Sequence, residues 1–559
     1  MISTTKHTND TKGDASTKRG ARFSHSAHRM GGAGRGEVGL SHKLFRLAFA
    51  YFLCFVFQNS RAADCAILKP ADFAHHVEKF NTMEDENFTN TISNAESWNW
   101  LQKEIPFFDC PDKEVEEIYY FRWWSFRKHL VQTTNGWVIT EFLTPVRHAG
   151  IHNTISCAAG FHLAEGRWLR DQNFLDDYTT FWLRGNNGQP QPHFHKFSSW
   201  FASAAYDRFL VNGDKTFLTN LLADFVADYR AWENEKLTTN GLFWQYDVRD
   251  GMEESISGSR TNKNLRPTIN SYMFANARAI TETAALAGNK SVAKEFAAKA
   301  AQLNKLVQEI LWSDDAEFFE ARPGPGAPFA NVREQLGFIP WMFGLADDKK
   351  FSVAWSQLND TQGFSAPFGL TTAERRHPQF RSHGVGTCEW DGAVWPFATS
   401  QTLYALVNFL RATEAGSRIT HYASRNDYFD TFLTYVHSQH ANGTPYIGEY
   451  LDEVTGDWIN GKGGRSRYYN HSTFADLLIT GVVGLRPRAD DTVEISPLLP
   501  DGVWNWFCLE GVNYHGHMLT IFWDEDGLHY NRGKGLVVLA DGKEIARGNL
   551  LSKLTGKLP

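Results

Sequence analysis

The stretches TINSYMFANARAITETAALA (268–287) and SVAKEFAAKAAQLNKLVQEILW (291–312) determine the fold class of this sequence. Both carry apolar residues at intervals of three and four, the period of an amphipathic helix, and only a short Gly-Asn-Lys segment separates them. Similar runs, bounded by Gly, Asn, Asp and Pro, lie at 114–131, 197–211, 214–234, 331–345, 349–358, 393–413, 424–440 and 470–484. We therefore predict a mainly α body of roughly ten to twelve helices, and the absence of a strong repeat argues against a superhelical array.

The spacing of the apolar residues changes near the C-terminus. Segments such as HMLTIFWDEDG (517–527) and LVVLADGKEIARG (536–548) alternate apolar and polar residues and are broken by Asp-Gly turns. This pattern predicts antiparallel strands that form a small sheet. We accordingly predict three parts: a disordered extension with a signal peptide at 1–62, a helical catalytic domain at 63–487 and a β module at 488–559.

The N-terminus has the composition of a targeting segment. Residues 1–42 are polar and show no hydrophobic periodicity. We interpret them either as a disordered tail or as an extension upstream of a true start at Met30. A basic flank at 43–46 precedes an apolar run at 47–57, which is shorter than the roughly 20 residues that span a bilayer. Small residues Ser60 and Ala62 follow at cleavage spacing, so we predict an exported protein cleaved after Ala62, with an uncleaved anchor as the alternative.

Composition limits the classes of function. The 559 residues carry a net charge of −7, are 42% hydrophobic and include only 6 Cys. These values argue against a disordered chain and a disulfide scaffold, and a slightly acidic chain without a basic tract offers no surface for nucleic acid. The chain is rich in aromatic residues, with 19 Trp and 18 Tyr. Aromatic rings fill cores but also stack on sugars, and after signal removal we expect no membrane span.

The loop between two predicted helices at 241–260 combines carboxylates with aromatic rings. A carboxylic acid in apolar surroundings has a raised pKa and protonates a glycosidic oxygen, and Glu253 is the candidate, with Asp250 and Glu254 as substitutes. A solvated acidic loop is the alternative. The other substrate-binding candidates of this loop are Trp244, Asp247, Arg249 and Arg260.

A second loop, 446–458, leads to the segment 467–472 and again joins acids to aromatic residues. A second carboxylate that activates water on the opposite face of the sugar completes an inverting pair, and Glu449 is the candidate for that base. The alternative is a β-turn at Thr455-Gly456 in which the neighbouring acidic residues have no catalytic role. Tyr468 and His471 are additional binding candidates.

Two further aromatic clusters are candidate sugar subsites. Trp390, Asp391 and Trp395 open the helix predicted at 393–413, where a hydrophobic helix start is the alternative. Arg122 and Trp123 lie in a run so dense in aromatic residues that part of it must be core. His193 and His195 have no evident third ligand, so we predict neither a metal site nor another cofactor. Phosphate-loop, Gly-x-Ser-x-Gly and His-Glu-x-x-His motifs are absent from the sequence.

At these loops the sequence resembles the (α/α)6-barrel glycosidases, in particular glycoside hydrolase family 63 and the mannosylglycerate hydrolase-like enzymes. The resemblance covers roughly 190–486 and rests on Arg249-Asp250-Gly251-Met252-Glu253-Glu254-Ser255, on Trp390-Asp391-Gly392-Ala393-Val394-Trp395 and on Glu449-Tyr450 with Thr455-Gly456. It implies an (α/α)6 barrel in which Glu253 is the general acid and Glu449 the general base. Glu253 stands where the family has an Asp as its general acid, and Asp391 stands where the family has an Arg.

The resemblance leaves the substrate open. A relative that acts on L-arabinofuranose or L-rhamnose in plant or algal glycans fits it equally well, and we predict an exo-acting inverting hydrolase. One alternative is a polysaccharide lyase with Tyr468 and either His471 or His193 as proton-transfer groups, in which Arg249, Arg260 and Arg467 neutralise a uronate. The other is a glycan-binding protein without activity. The sequence does not define the oligomeric state.

Overall fold

The helical hairpin over 268–312 is central to the architecture. The computed structural model describes residues 66–86, 91–346, 349–384, 386, 388–415, 422–459 and 464–559. The predicted extension and signal peptide, 1–62, lie outside the described residues. Helix α10 (Pro267–Leu286) is buried on nearly every side, whereas α11 (Lys290–Ile310) buries only one stripe, so α10 lies inside the body and α11 covers it. The helices are α1 Ala74–Asn81, α2 Ser97–Glu104, α3 Lys113–Lys128, α4 Ser156–Gly166, α5 Asn173–Arg184, α6 Phe201–Asn212, α7 Lys215–Asn220, α8 Leu222–Lys236, α9 Asp247–Asp250, α10 Pro267–Leu286, α11 Lys290–Ile310, α12 Ile339–Met342, α13 Pro396–Ala415, α14 Arg425–Ser438 and α15 Ala475–Leu477.

Six of these helices form a closed inner ring. In the order α4, α6, α10, α12, α13 and α15, each packs on the next, and α15 returns to α4. Helices α3, α5, α8, α11 and α14 and the 3-10 helix Lys349–Gln357 lie outside the ring. The chain therefore folds as the predicted (α/α)6 barrel. Among the described residues, no helix is both long enough and apolar enough to cross a bilayer.

The strands form short hairpins between the helices and a larger C-terminal sheet. That sheet has the antiparallel order β1, β14, β15, β16, β17, and β12, β13 and β18 form a second sheet. The strands are β1 Phe107–Asp109, β2 Leu130–Thr133, β3 Gly136–Ile139, β4 Trp244–Gln245, β5 Asn264–Leu265, β6 Trp312–Ser313, β7 Phe318–Phe319, β8 Ser365–Ala366, β9 Gly369–Leu370, β10 His440–Ala441, β11 Thr444–Pro445, β12 Leu485–Arg486, β13 Thr492–Ile495, β14 Trp506–Tyr514, β15 His517–Asp524, β16 Gly535–Ala540, β17 Lys543–Gly548 and β18 Leu554–Lys557. The small antiparallel sheet expected at the C-terminus is thus present, with β1 as an additional edge strand.

Candidate active site

The loop that carries Glu253 is fixed by the acids that precede it. Helix α9 ends at Asp250 and is capped by Gly251, whose φ of 73° is the left-handed conformation that glycine adopts most readily. Asp250 is fully buried; its Oδ1 accepts a hydrogen bond from Ser198 Oγ at 2.6 Å and its Oδ2 pairs with Arg266 Nε at 2.7 Å. Asp247 accepts from the backbone N–H of Glu254 at 3.3 Å. These contacts determine where the chain presents Glu253.

Glu253 has the protonation behaviour of a general acid. Its pKa is raised to about 7, chiefly because the folded chain removes solvent from the carboxyl group, with a further contribution from the charges of Glu449 and Asp247. The Arg260 guanidinium opposes this shift. Glu253 therefore retains a proton up to near-neutral pH, as a group that protonates a leaving oxygen must.

Glu449 lies in a different electrostatic environment. Its Oε2 accepts a hydrogen bond from Ser466 Oγ at 2.8 Å and forms an ion pair with Arg465. The Glu449 backbone oxygen accepts from His471 Nε2 at 3.0 Å, so that the imidazole helps to fix this loop. A carboxylate stabilised by a guanidinium suits the deprotonation of water, whereas the carboxyl group of Glu253 suits proton donation.

The second and third sequence motifs meet in the fold. Val394 and Leu451 exchange backbone hydrogen bonds of 3.0 Å, which joins the tryptophan loop to the Glu449 loop. Trp395 stacks on Trp390 at 4.5 Å and on Tyr450 at 4.7 Å between ring centroids. Both faces of the Trp395 indole are therefore covered, and the expectation that it stacks on a sugar is not supported.

Polar atoms in this cluster nevertheless remain unpaired. The indole N–H groups of Trp390 and Trp395 and the Oδ1 of Asp391 are buried without a hydrogen-bond partner in the part of the chain that the structure describes. The other oxygen of Asp391 accepts from the His383 backbone at 3.0 Å. Buried polar groups normally find a partner, so these three atoms are candidates for contact with sugar hydroxyls.

A third buried carboxyl group, which the sequence did not indicate, interacts electrostatically with Glu253 and Glu449. Glu141 follows β3, is only 3% exposed and accepts a hydrogen bond from Tyr469 Oη at 2.8 Å. Burial, together with the charges of Glu449 and Glu253, raises its pKa to about 8. The available signal was a single carboxylate in the apolar segment Trp137-Val-Ile-Thr-Glu-Phe142, which is unusual for a strand end.

The remaining candidates of the first loop take part in contacts between cations and aromatic rings or carboxylates. Lys236 Nζ is 3.8 Å and Lys263 Nζ 4.8 Å from the ring centroid of Trp244, so ammonium groups contact this indole. Arg249 lies over Phe197 at 5.4 Å. Arg260 is exposed and 3.6 Å from Glu254, whose other oxygen accepts from the Cys388 backbone at 3.1 Å. Glu254 therefore links the acid loop to the tryptophan loop.

Two predicted binding residues are structural. Arg122 is 4% exposed, and its guanidinium donates to Tyr435 Oη at 2.9 Å and to the Ser472 backbone oxygen at 2.6 Å. Trp123 is fully buried between Tyr119 and Phe126. The prediction that they reach a sugar is corrected, because helix α3 directs both side chains into the protein. The same correction applies to Asp250 as a substitute acid, since Ser198 and Arg266 occupy both of its oxygens.

The aromatic segment after the Glu449 loop is also tightly packed. Tyr468, with a φ of 53°, packs on Phe121 and Trp124, and its hydroxyl contacts Arg467 at 3.3 Å. Burial lowers the pKa of His471 to about 3. His195 pairs with Asp228 at 2.8 Å. Tyr468 is thus held by Phe121, Trp124 and Arg467, and His471 by the Glu449 backbone oxygen.

Comparison with known proteins identifies the family. A family model described as the mannosylglycerate hydrolase MGH1-like glycoside hydrolase domain matches residues 151–472, and one for the C-terminal domain of glycosyl hydrolase family 65 matches 485–547. A solved chain named sialidase is 50% identical, with a TM-score of 0.85 over 88% of this chain and 45% of that chain. A family 78 rhamnosidase of Bacillus sp. GL1 is 13% identical, with a TM-score of 0.52 over 75% of this chain and 40% of that chain, and shares the fold. The present chain thus spans less than half the length of either.

Proposed function

Because the chain belongs to the mannosylglycerate hydrolase MGH1-like glycoside hydrolases, we propose that it hydrolyses terminal sugars of plant or algal glycans with inversion of configuration. The observation that carries the proposal is the contrast between two interacting carboxyl groups. Glu253 has a pKa raised to about 7, whereas Glu449 is paired with Arg465. Glu253 protonates the glycosidic oxygen, and Glu449 deprotonates the water that attacks the anomeric carbon.

Exo action is part of the proposal and is supported by the closed inner ring of helices. Loops at one end of such a ring can form a pocket, and a pocket admits the end of a glycan chain. Asp391 and the indole N–H groups of Trp390 and Trp395 are the proposed contacts for hydroxyl groups. Export through the N-terminal signal also belongs to the proposal.

The test is a panel of oligosaccharides with NMR of the fresh product. The panel contains arabinofuranosides, rhamnosides, glucosides and mannosides from plant and algal glycans, and sialosides because a 50% identical chain is named a sialidase. We expect hydrolysis with an inverted product anomer. A retained anomer contradicts the inverting assignment, and an unsaturated product would indicate a lyase instead.

Variants of Glu253 and Glu449 test their proposed roles as general acid and general base. Glu253→Gln and Glu449→Gln should each lower kcat/KM by roughly 10²–10⁴-fold, because each removes one proton-transfer group. Glu320→Gln is the matched control, since Glu320 is also buried with a pKa raised to about 7 but does not interact with these carboxyls. Its kcat/KM should remain that of the wild type. Retention of more than about a tenth of the activity in Glu253→Gln would remove Glu253 from the acid role.

A further inference from the structure

The carboxyl group of Glu141 is held in one orientation. Its backbone N–H donates to the Asn153 oxygen at 3.0 Å, and its backbone oxygen accepts from the Asn470 N–H at 3.0 Å. The side-chain Oε1 accepts from Tyr469 Oη at 2.8 Å. With three of its atoms fixed in this way, the carboxyl group cannot turn toward solvent, and the position of Oε2 is determined by the fold.

Oε2 of Glu141 is buried and has no hydrogen-bond partner among the described residues. A buried carboxyl oxygen left unpaired is unfavourable, and native proteins usually supply a partner from the chain, from water or from a ligand. The described part of the chain supplies none at this atom. Water or a bound ligand is left as the partner of Oε2.

The groups around Glu141 favour its neutral form. Burial is the main cause of its pKa of about 8, followed among the neighbouring charges by Glu449 and Glu253; the hydrogen bond from Tyr469 and the Arg465 guanidinium oppose the shift. Since Oε1 already accepts a hydrogen bond from the Tyr469 hydroxyl, the proton of the neutral acid lies on Oε2. The titratable and charged groups that face this carboxyl are Glu253, Glu449, Arg465, Tyr469, Cys157 and Tyr178.

We propose that Glu141 is a third active-site carboxyl group, which as a neutral acid donates a hydrogen bond from Oε2 to a hydroxyl group of the sugar bound between Glu253 and Glu449. The inference rests on the proposed function. An ionised glutamate in this position could only accept hydrogen bonds and would repel the Glu449 carboxylate. A sugar that lacks the matching hydroxyl leaves Oε2 unpaired, so Glu141 also contributes to substrate selection.

The pH dependence of kcat/KM on the substrate identified in the panel tests this role. If both Glu253 and Glu141 must be protonated, log kcat/KM of the wild type falls above about pH 8 with a slope that approaches −2. Glu141→Gln keeps an acceptor for Tyr469 and a donor in place of Oε2–H but does not titrate, so its slope should be −1. At pH 6 we expect Glu141→Gln within about threefold of the wild type and Glu141→Leu lower by roughly 10–100-fold.

The control is again Glu320→Gln, which should keep the steep wild-type slope. A slope of −1 in both wild type and Glu141→Gln, or equal losses in the Gln and Leu variants, would overturn the proposal. Survival of hydrolysis in Glu253→Gln and Glu449→Gln would instead overturn the proposed function, so the two failures are distinguishable.

Infrared difference spectroscopy gives a readout that does not need turnover. Between pH 7 and pH 9 the wild type should lose a protonated-carboxyl band that Glu141→Gln lacks, because this carboxyl ionises in that range. The free monosaccharides that correspond to the sugars of the panel should shift the band when they bind. A wild-type band that is absent, or that no bound monosaccharide shifts, also contradicts the proposal.

Discussion

Asp250 and Glu253 stand three residues apart, yet their surroundings give them different roles. Asp250 has both oxygens bound, to Ser198 and to the fully buried Arg266, and so acts as an anchor for the loop. Among the described residues Glu253 forms no such buried ion pair, and burial raises its pKa to about 7. At the scale of the residue, the environment rather than the residue type separates a structural acid from the proposed catalytic acid.

The first residue-scale prediction concerns the buried ion pair. Asp250→Asn should lower the free energy of unfolding by about 3–5 kcal/mol, because Arg266 is then left as an unpaired buried charge. Glu253→Gln should change the free energy of unfolding by less than about 1 kcal/mol at pH 6, where Glu253 is already neutral. Urea unfolding of both variants measures this difference. A stable but inactive Asp250→Asn would instead assign Asp250 a direct role in the reaction.

The second residue-scale prediction concerns stability against pH. The pKa of Glu141 is raised in the folded protein, from its usual value of 4.5 to about 8, chiefly by burial. The unfolded chain therefore loses this proton first, and the stabilising contribution is present below about pH 4.5 and is lost as pH rises through 8. Glu141→Gln does not titrate, so its melting temperature should fall less than that of the wild type between pH 6 and pH 9. The exposed Glu525→Gln should follow the wild-type curve, and parallel wild-type and Glu141→Gln curves would refute the shift.

At the scale of the element, outer helix α14 packs closely on the turn that follows inner helix α15, because that turn carries a glycine. The turn after α15, Leu478–Val482, is a π-helix, and a Cβ at Gly481 would overlap the hydroxyl of the buried Tyr428. That hydroxyl donates to the Leu477 backbone oxygen at 3.0 Å. The contact therefore combines a hydrogen bond with close backbone approach.

The element-scale prediction follows from this contact. Gly481→Ala should destabilise the protein by roughly 1–3 kcal/mol, because the added methyl group forces Tyr428 or the helix to move. Tyr428→Phe removes the nearest atom, so the double variant should lose less than the sum of the two single variants. Urea unfolding of all four proteins completes the cycle. Additive effects would show that the helices separate without a specific clash at Tyr428.

Sequence reasoning identified the elements whose pattern is strong and missed those without one. Helix α10 and the amphipathic α11 were predicted almost to the residue, whereas α4 is apolar nearly all round and gives no period. The amphipathic α5 does carry the helical period and was nonetheless not predicted. The predicted run at 214–234 is two helices, α7 and α8, which meet at Leu221. Strand β1 is too short to leave a pattern.

The same limit applies to the site. Glu253 and Glu449 were predicted because each lies in a loop with a motif of its own. Glu141 was not predicted, because its partner Tyr469 is 328 residues away in the chain and only the fold joins them. Arg122 is likewise unavailable to a sugar because it donates hydrogen bonds to Tyr435 and Ser472, and these contacts cannot be read from the local sequence.

At the scale of the whole molecule, the barrel and the C-terminal sheet share their stabilising contacts. Strand β1, which precedes the barrel helix α3, is the edge strand of the sheet and pairs with β14. Phe108 of β1 is fully buried and contacts Trp504, which in turn packs on Phe429 of α14. The His515 backbone N–H also donates to the Val211 oxygen at 2.9 Å. A boundary at 487 therefore crosses a packed interface.

This interface predicts that neither part is stable without the other. A chain that ends at residue 487 loses the partner of β1 and exposes Phe108 and Phe429, so we expect it to be unfolded or aggregated. In the full chain, thermal unfolding should be one transition with the same midpoint by tryptophan fluorescence and by far-ultraviolet circular dichroism. Phe108→Ala should lower that midpoint for both signals together, at a cost of about 3–5 kcal/mol. Two separate transitions, or a shift of only one signal in Phe108→Ala, would show that the sheet is an independent module.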